Sequence, residues 1–116
     1  MPVRSLNSSI LKWPDRATVH QAVQKWARRL ADEQPRVCRI GYFGSYARGD
    51  WGVGSDLDVV VIVDRAEDQF ETRGASVDAS SLPVPADVLI YTSDEWATLR
   101  GRMREVLREE VVWVVG

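Results

Sequence analysis

The sequence predicts an α/β domain in which a short mixed β-sheet is flanked by helices. Helical patterns alternate along the chain with short segments that have strand character, and this alternation is typical of an α/β architecture. The segment Val59–Val63 is continuously apolar, which is typical of a strand covered on both faces. The length of 116 residues fits one compact domain.

The first predicted helix occupies the segment between Pro14 and Pro35. Pro14 and Asp15 suit its first turn, because proline needs no amide partner there and the carboxylate faces the positive end of the helix dipole. Residues 1–13 are mixed in character, so we expect a loosely ordered lead-in to a domain that spans residues 14–116. Apolar residues recur at helical spacing at Val19, Val23, Trp26, Ala27 and Leu30.

Two strands are predicted on either side of a glycine-rich segment. The first covers Arg36–Phe43, which is rich in β-branched and aromatic residues, and the second covers Asp56–Val63. The intervening Gly44–Ser55 contains four glycines and predicts a turn with one short helical turn.

A long polar excursion follows over residues 64–85, with a short helix expected near Ala66–Thr72. Ala86–Tyr91 predicts the third strand, and Val111–Val115 predicts a last short strand. Between them, Thr92 and Glu95 match a capping box that opens a single helix. The apolar stripe of this helix comprises Trp96, Leu99, Met103, Val106 and Leu107.

Composition excludes several classes of protein. Apolar residues make up 45% and charged residues 28% of the chain, which is ordinary for a soluble globular domain. The net charge of −2 gives no electrostatic footprint for direct nucleic-acid binding. A single cysteine, Cys38, and a single histidine, His20, exclude an intrachain disulfide and offer too few ligands for structural zinc. We find no signal peptide or membrane-spanning run, and we expect a cytoplasmic protein.

Gly44 and Ser45 follow the first strand and form a candidate phosphate-binding turn. Glycine allows the backbone to approach a ligand closely, and successive backbone N–H groups in such a turn attract anions. Arg48 adds a planar, charged donor for phosphate. On its own, however, a Gly-Ser pair is most often a plain connection between a strand and a loop.

Asp56 and Asp58 stand at the head of the apolar strand. Residues two apart in a strand point to the same face, separated by about 6–7 Å, so their carboxylates can flank one or two divalent ions. Oxygen ligands favour Mg²⁺, or Mn²⁺, over zinc or copper. The alternative is a pair of turn or cap aspartates, although the five apolar residues that follow Asp58 weaken that interpretation.

Together the Gly44–Ser45 turn and the pair of aspartates have the form GS-x10-D-x-D, with ten residues between Ser45 and Asp56. This arrangement resembles the signature of the nucleotidyltransferase superfamily, in the small form called minimal nucleotidyltransferase. Ser55 stands directly before the acidic pair, as it often does in that family, and the resemblance implies that it contacts the nucleotide. The resemblance covers residues 36 to 116.

The resemblance also implies a third carboxylate on a later strand, and Asp87 fits. A capping role after Pro85 is the alternative for Asp87, and Asp78 is a weaker rival. By analogy with the family, one Mg²⁺ would help Gly44 and Ser45 to hold the β and γ phosphates, and a second would be held by Asp56, Asp58 and Asp87. ATP would lie against Gly44 and Ser45, and the nucleotidyl group would pass to a hydroxyl whose proton Asp87 accepts.

The residues themselves do not identify the group that accepts the nucleotidyl moiety. Minimal nucleotidyltransferases resemble this chain in size and are paired with helical HEPN proteins, and the resemblance implies an antitoxin that adenylylates a HEPN toxin. One alternative is an enzyme that acts on a small molecule, such as an aminoglycoside, and forms a homodimer, a possible homo-oligomer whose two sites share an acceptor pocket. Another is a nucleotide-binding partner subunit without turnover.

Two further features are a tryptophan in the glycine-rich segment and a series of arginines in the predicted last helix. Trp51, in the glycine-rich segment, is expected to be exposed, where it could stack on a nucleobase or meet a partner. Arg100, Arg102, Arg104 and Arg108 alternate with Glu105 and Glu109, a pattern typical of a solvated helix face.

Overall fold

The computed structural model of this chain describes residues 13–66, 73 and 77–116. In these residues helices and strands are interspersed along the chain, as expected for an α/β domain. The elements in chain order are α1 (Arg16–Glu33), β1 (Val37–Phe43), α2 (Ser45–Arg48), β2 (Leu57–Val63), β3 (Ala86–Thr92), α3 (Ser93–Thr98), α4 (Arg102–Glu110) and β4 (Val112–Val115).

The four described strands form one mixed sheet in the order β3-β2-β1-β4. β1 is antiparallel to both β2 and β4, whereas β2 and β3 are parallel. The predicted mixed sheet with flanking helices is therefore confirmed. Because β2 lies inside the sheet, both of its backbone edges are hydrogen-bonded.

β2 is also covered on both of its faces, as its apolar run predicted. Apart from Asp58, every residue of the strand is buried. Leu57, Val59 and Val61 pack into a cluster with α1, whereas Val60 and Ile62 pack into a second cluster with Leu107 and other residues of the α3–α4 side. Asp58 belongs by alternation to the α3–α4 face, and it is the one acidic residue in the strand.

α1 covers the other face, through Val19, Val23 and its neighbours in the predicted apolar stripe. The helix begins two residues later than the sequence suggested, since Pro14 precedes the helix and Asp15 is the N-cap rather than part of the first turn. The Asp15 carboxylate accepts a hydrogen bond of 2.8 Å from the Thr18 amide. Hydrogen bonds from the Thr18 amide and then from the Thr18 side chain hold the pKa of Asp15 below its usual value.

The predicted capping box is confirmed, but the single long helix after it is wrong. Thr92 and Glu95 exchange the two reciprocal hydrogen bonds at the start of α3. The helix then ends at Thr98, and α4 begins after Gly101, whose φ of 80° is a left-handed value. Consequently Met103, assigned to the buried stripe, is 43% exposed.

Two predictions fall largely outside the described residues. The lead-in of residues 1–13 is described only at Trp13, which packs against the α1-side core. The short helix expected near Ala66–Thr72 is described only at Ala66, which is not helical. In the described part of the chain, no helix is both long enough and apolar enough to cross a lipid bilayer.

Candidate active site

Asp58 and Asp87 lie side by side on the parallel strands β2 and β3. They are direct register partners in the sheet. Neighbouring strands are about 4.8 Å apart, and paired residues project to the same face, so the two carboxylates share one end of the sheet. Asp56 precedes β2 by one residue and is exposed, as is Asp87, while Asp58 is half-buried. All three predicted aspartates thus belong to one region.

The pKa of Asp58 reflects both its burial and the nearby charges. Burial raises the pKa of the Asp58 carboxyl, and the charges of Asp87 and then Asp56 raise it further. The guanidinium of Arg48 acts in the opposite direction, and Glu110 adds a smaller upward contribution. An ionised carboxylate that is half-buried among like charges is stabilised by a cation, so the site has the electrostatic character of a cation-binding centre.

Gly44 brings the predicted turn against Asp58. Gly44 follows directly after Phe43, the register partner of Asp58 in β1. It is buried, with φ 82° and ψ −153°, and a Cβ atom at this position would overlap the Asp58 carboxylate. Only glycine therefore allows the first strand to turn at this point while Asp58 keeps its place.

Ser45 and Arg48 are the first and last residues of the four-residue helix α2. In the described part of the chain no hydrogen bond is formed by the Ser45 hydroxyl, which is half-buried beside Gly44. Arg48 donates to Asp50 through Nε at 3.1 Å. The pKa of Arg48 is raised, first by this hydrogen bond and then by the charges of Asp50 and Glu110.

Glu110 lies at the site, in the last turn of α4, and no sequence pattern predicted its presence there. Its Oε2 accepts hydrogen bonds from the Gly44 amide at 3.3 Å and from Arg48 Nη1 at 3.1 Å. Glu110 lies 66 residues after Gly44, in a stretch of alternating arginine and glutamate that is typical of a solvated helix face. No local pattern separates Glu110 from its exposed neighbour Glu109.

Ser55 and Trp51 have structural roles in the glycine-rich segment. The Ser55 hydroxyl accepts a 2.8 Å hydrogen bond from the Gly52 amide and so closes the turn before Asp56. Trp51 is half-buried and stacks on Tyr46, with ring centroids 5.6 Å apart and an interplanar angle of 6°. The expectation that Trp51 is exposed is therefore wrong, because Tyr46 in the core offers its ring a flat apolar partner.

Asp78, the rival for the third carboxylate, lies elsewhere. Its side chain accepts a hydrogen bond of 2.9 Å from the Ser80 amide, and its carbonyl accepts one from the Trp26 indole of α1. Trp26 belongs to the cluster on the α1 face of the sheet. Asp87, by contrast, is the register partner of Asp58.

The donor chemistry fits a hard cation, but the side chains are not gathered into a metal cage. Across residues 13–66, 73 and 77–116, no three histidine, cysteine, aspartate or glutamate side chains form a metal-binding cluster. Asp56 and Asp87 are exposed, whereas Asp58 is half-buried within β2. Carboxylate oxygens of this kind suit Mg²⁺ or Mn²⁺.

Comparison with solved structures finds the same fold in other proteins. A candidate nucleotidyltransferase from Sulfolobus solfataricus superposes with a TM-score of 0.62 at 18% identity, over 84% of this chain and 80% of the other. A toxin–antitoxin structure with AMP-PNP superposes with a TM-score of 0.60 at 20% identity, over 80% of this chain and 73% of the other.

A third structure, a mutant of the toxin–antitoxin pair MntA-HpeT, superposes with a TM-score of 0.56 at 18% identity, over 79% of this chain and 70% of the other. Comparison with curated proteins finds no match. At the level of sequence families, residues 23–114 match the nucleotidyltransferase domain, and this range contains the Gly44–Ser45 turn and all three aspartates. With most of its length covered by that match, the chain belongs to the nucleotidyltransferase domain family.

Proposed function

We propose that this nucleotidyltransferase transfers AMP from ATP, with Mg²⁺, to a hydroxyl group on a HEPN-type toxin, and so acts in the cytoplasm as an antitoxin. One observation carries the catalytic part of the proposal. Asp58 is half-buried at the start of β2, beside Asp87 and against Gly44, and its pKa is raised by burial and then by the charges of Asp87 and Asp56.

Asp56, Asp58 and Asp87 are the residues that would hold the metal, as two ions or as one. Bound Mg²⁺ would lower the pKa of the acceptor hydroxyl and neutralise charge that develops at the α-phosphorus. Asp58 needs no rearrangement for this role, since the sheet holds its backbone on both sides. Asp56 and Asp87 would turn inward as a cation relieves the repulsion among the carboxylates.

Backbone and hydroxyl donors would hold the triphosphate. The Gly44 and Ser45 amides lie at the start of α2, where helix amides lack partners within the helix. The Ser45 hydroxyl and the Arg48 guanidinium add one neutral and one charged donor. Ser55 would contribute by shaping the turn that presents Asp56, and a direct contact of Ser55 with the nucleotide remains part of the proposal.

Asp87 is our candidate for the residue that takes the hydroxyl proton. It is exposed on the outer strand of the described sheet, where an acceptor group can reach it. Its neighbour Asp58 is more enclosed and stands closer to the phosphate-binding turn. This division leaves Asp58 to position the nucleotide and Asp87 to face the acceptor.

The proposed partner rests on similarity of fold. Two of the similar structures are of toxin–antitoxin proteins, and one of them contains the ATP analogue AMP-PNP. In the other, two aspartates two positions apart are replaced by glutamate, a spacing that Asp56 and Asp58 share. These relationships support a toxin as the acceptor and an adenine nucleotide as the donor.

The test is transfer of label from ATP carrying ³²P at the α-phosphate. The chain would be incubated with a HEPN-type partner protein and Mg²⁺. We expect label on the HEPN protein, a loss of at least about 100-fold in Asp58→Asn, and no loss in the matched control Asp64→Asn. Asp64 is exposed just after the far end of β2, so it undergoes the same chemical change outside the site.

Three results would contradict parts of the proposal. Label that appears only on a small-molecule acceptor would replace the antitoxin role with small-molecule modification. Undiminished transfer by Asp58→Asn would remove the catalytic assignment. ATP binding without any transfer to either acceptor would make the chain a nucleotide-binding subunit.

A further inference from the structure

The Glu110 carboxylate lies where the proposed function places the triphosphate, which is also an anion. Glu110 is the last residue of α4, and its side chain is only 21% exposed. It faces a region that already contains the carboxylates of Asp56, Asp58 and Asp87, and its own charge adds to the upward shift in the pKa of Asp58. Placement of a fourth carboxylate there is unfavourable unless specific donors hold it.

Two donors do hold it. Glu110 Oε2 is 3.3 Å from the Gly44 amide nitrogen and 3.1 Å from Arg48 Nη1, and Oε1 is 3.3 Å from the same Nη1. An amide at a glycine turn and a guanidinium bind carboxylate and phosphate oxygens by the same charge-assisted hydrogen bonds. Gly44 and Arg48 are also the groups that the proposed function assigns to the triphosphate.

We propose that Glu110 occupies the phosphate-binding groups of the nucleotide-free protein as an internal anion, and that the triphosphate must displace it to bind. The inference rests on the proposed function, because it concerns the affinity of that same site. Glu110 and a phosphate oxygen cannot accept from the Gly44 amide together, and their like charges repel each other at this distance. Glu110 therefore sets the nucleotide affinity.

α4 is able to release Glu110 at small cost. Leu107, in the last turn, is the fully buried residue of the helix, whereas the Glu110 side chain is 21% exposed and can turn outward without loss of that core contact. Arg48 keeps its second partner, Asp50, when Glu110 leaves. β4 begins at Val112, two residues later, and stays paired with β1 through Tyr42. The displacement needs only a rotation of the Glu110 side chain and a small shift at the helix end.

The size of the effect follows from population arithmetic. If Glu110 holds the donors in about nine of ten molecules, the apparent dissociation constant for the triphosphate is raised about tenfold. Removal of the competing carboxylate should recover that factor. Removal of a negative charge elsewhere on α4 should recover only a small part of it, because exposed charges are screened.

The experiment measures binding of inorganic tripolyphosphate with Mg²⁺ by isothermal titration calorimetry, on the full chain. The variants are Glu110→Gln, which keeps the shape and removes the charge, and Glu110→Ala, which removes the acceptor as well. Glu109→Gln is the matched control, since Glu109 is the exposed preceding residue on the same helix. A circular-dichroism melt confirms that each variant is folded.

We expect both Glu110 variants to bind tripolyphosphate about tenfold more tightly than the wild type, with a change of less than about twofold in Glu109→Gln. We also expect the ¹⁵N–¹H resonance of Gly44 to move in the ligand-free Glu110 variants and not in Glu109→Gln. Equal or weaker binding by the Glu110 variants would overturn the inference, as would an equal gain in Glu109→Gln or no binding by any of the four proteins.

The outcome is separable from that of the proposed function. Tighter tripolyphosphate binding by the Glu110 variants, with no label transfer by the wild type, would overturn the transfer reaction and support the displacement. Label transfer that is normal in the wild type, with tripolyphosphate binding unchanged in the Glu110 variants, would overturn the displacement and leave the transfer reaction standing.

Discussion

Gly44 meets a steric and a conformational requirement at the same position. A Cβ atom would overlap the Asp58 carboxylate, and the combination of φ 82° with ψ −153° belongs almost only to glycine. Gly44 therefore allows the turn to lie directly against the Asp58 carboxylate. A substitution there should damage the site and the fold together.

We predict that Gly44→Ala lowers the free energy of unfolding by about 1–3 kcal/mol and abolishes nucleotidyl transfer. The physical cause is backbone strain together with displacement of Asp58. Urea denaturation and the label-transfer assay measure the two effects. Gly52→Ala is the control, because a Cβ at Gly52 meets no atom within 4 Å and the backbone there has no positive φ. Full activity in Gly44→Ala would contradict the proposed contact.

Asp58 illustrates a conflict between stability and function in a single side chain. Its raised pKa means that the folded state disfavours the charged carboxylate, first through burial and then through Asp87 and Asp56. Charge at neutral pH therefore destabilises the protein when no cation is bound.

We predict that Asp58→Asn melts at a higher temperature than the wild type in EDTA, although it is inactive. With excess Mg²⁺ and AMP-PNP the order should reverse, because only the wild type gains stability from the bound ligand. Differential scanning fluorimetry under the two conditions measures both. A lower melting temperature for Asp58→Asn in EDTA would mean that the carboxylate is stabilising as it stands.

At the scale of elements, α3 is fixed by its first turn. Glu95 caps the helix by accepting from the Thr92 amide, and it also accepts from Arg73, whose side chain is 10% exposed. The hydrogen bond from Arg73, followed by that from Thr92, lowers the pKa of Glu95. α3 follows β3 directly, so this cap also fixes where the strand that carries Asp87 ends.

We predict that Glu95→Gln lowers the free energy of unfolding by about 1 kcal/mol at pH 7, a modest value because the Glu95 side chain is 40% exposed to screening solvent. Glutamine keeps the capping geometry, so the loss reports the charge. Since the folded-state pKa is the lower one, this contribution is present above the unfolded value of about 4.3 and disappears as the pH falls through the folded value. Urea denaturation at a series of pH values below 7 should show the difference between the two proteins shrink as the Glu95 carboxylate becomes protonated in the folded state. A constant difference would contradict the ionic origin.

At the scale of the whole molecule, ligand binding should couple the two halves of the site. In the proposed function, the turn between β1 and α2 and α2 itself supply the phosphate donors, whereas β3, β2 and the residue before β2 supply the carboxylates. A nucleotide with Mg²⁺ would bridge them and stabilise the folded state by mass action.

We predict that AMP-PNP with Mg²⁺ at 100 times its dissociation constant stabilises the wild type by about 2.7 kcal/mol. AMP-PNP in EDTA should stabilise it far less, because the carboxylates then repel the triphosphate. Thermal denaturation with and without Mg²⁺ measures the difference, and Asp64→Asn should behave as the wild type. Equal stabilisation in EDTA would argue against a metal between Asp58 and the nucleotide.

The sequence by itself determined the features that depend on neighbouring residues. Period-two and period-3.6 patterns, caps and continuous apolar runs involve only a few neighbouring residues. They predicted α1, the four described strands and the Thr92 cap. They also gave the spacing of Asp56 and Asp58 and the glycine turn before them. The break at Gly101 was missed because an apolar stripe can continue in sequence across a residue with positive φ.

The tertiary structure alone decided which distant groups meet. The pairing of Asp58 with Asp87 depends on the register of two parallel strands, and the contact of Gly44 with Asp58 depends on the packing of β1 beside β2. Glu110 reaches Gly44 across 66 residues because β4 pairs with β1 and so brings the end of α4 to the turn. Contacts between distant segments arise from the packing of whole elements, which no local pattern encodes.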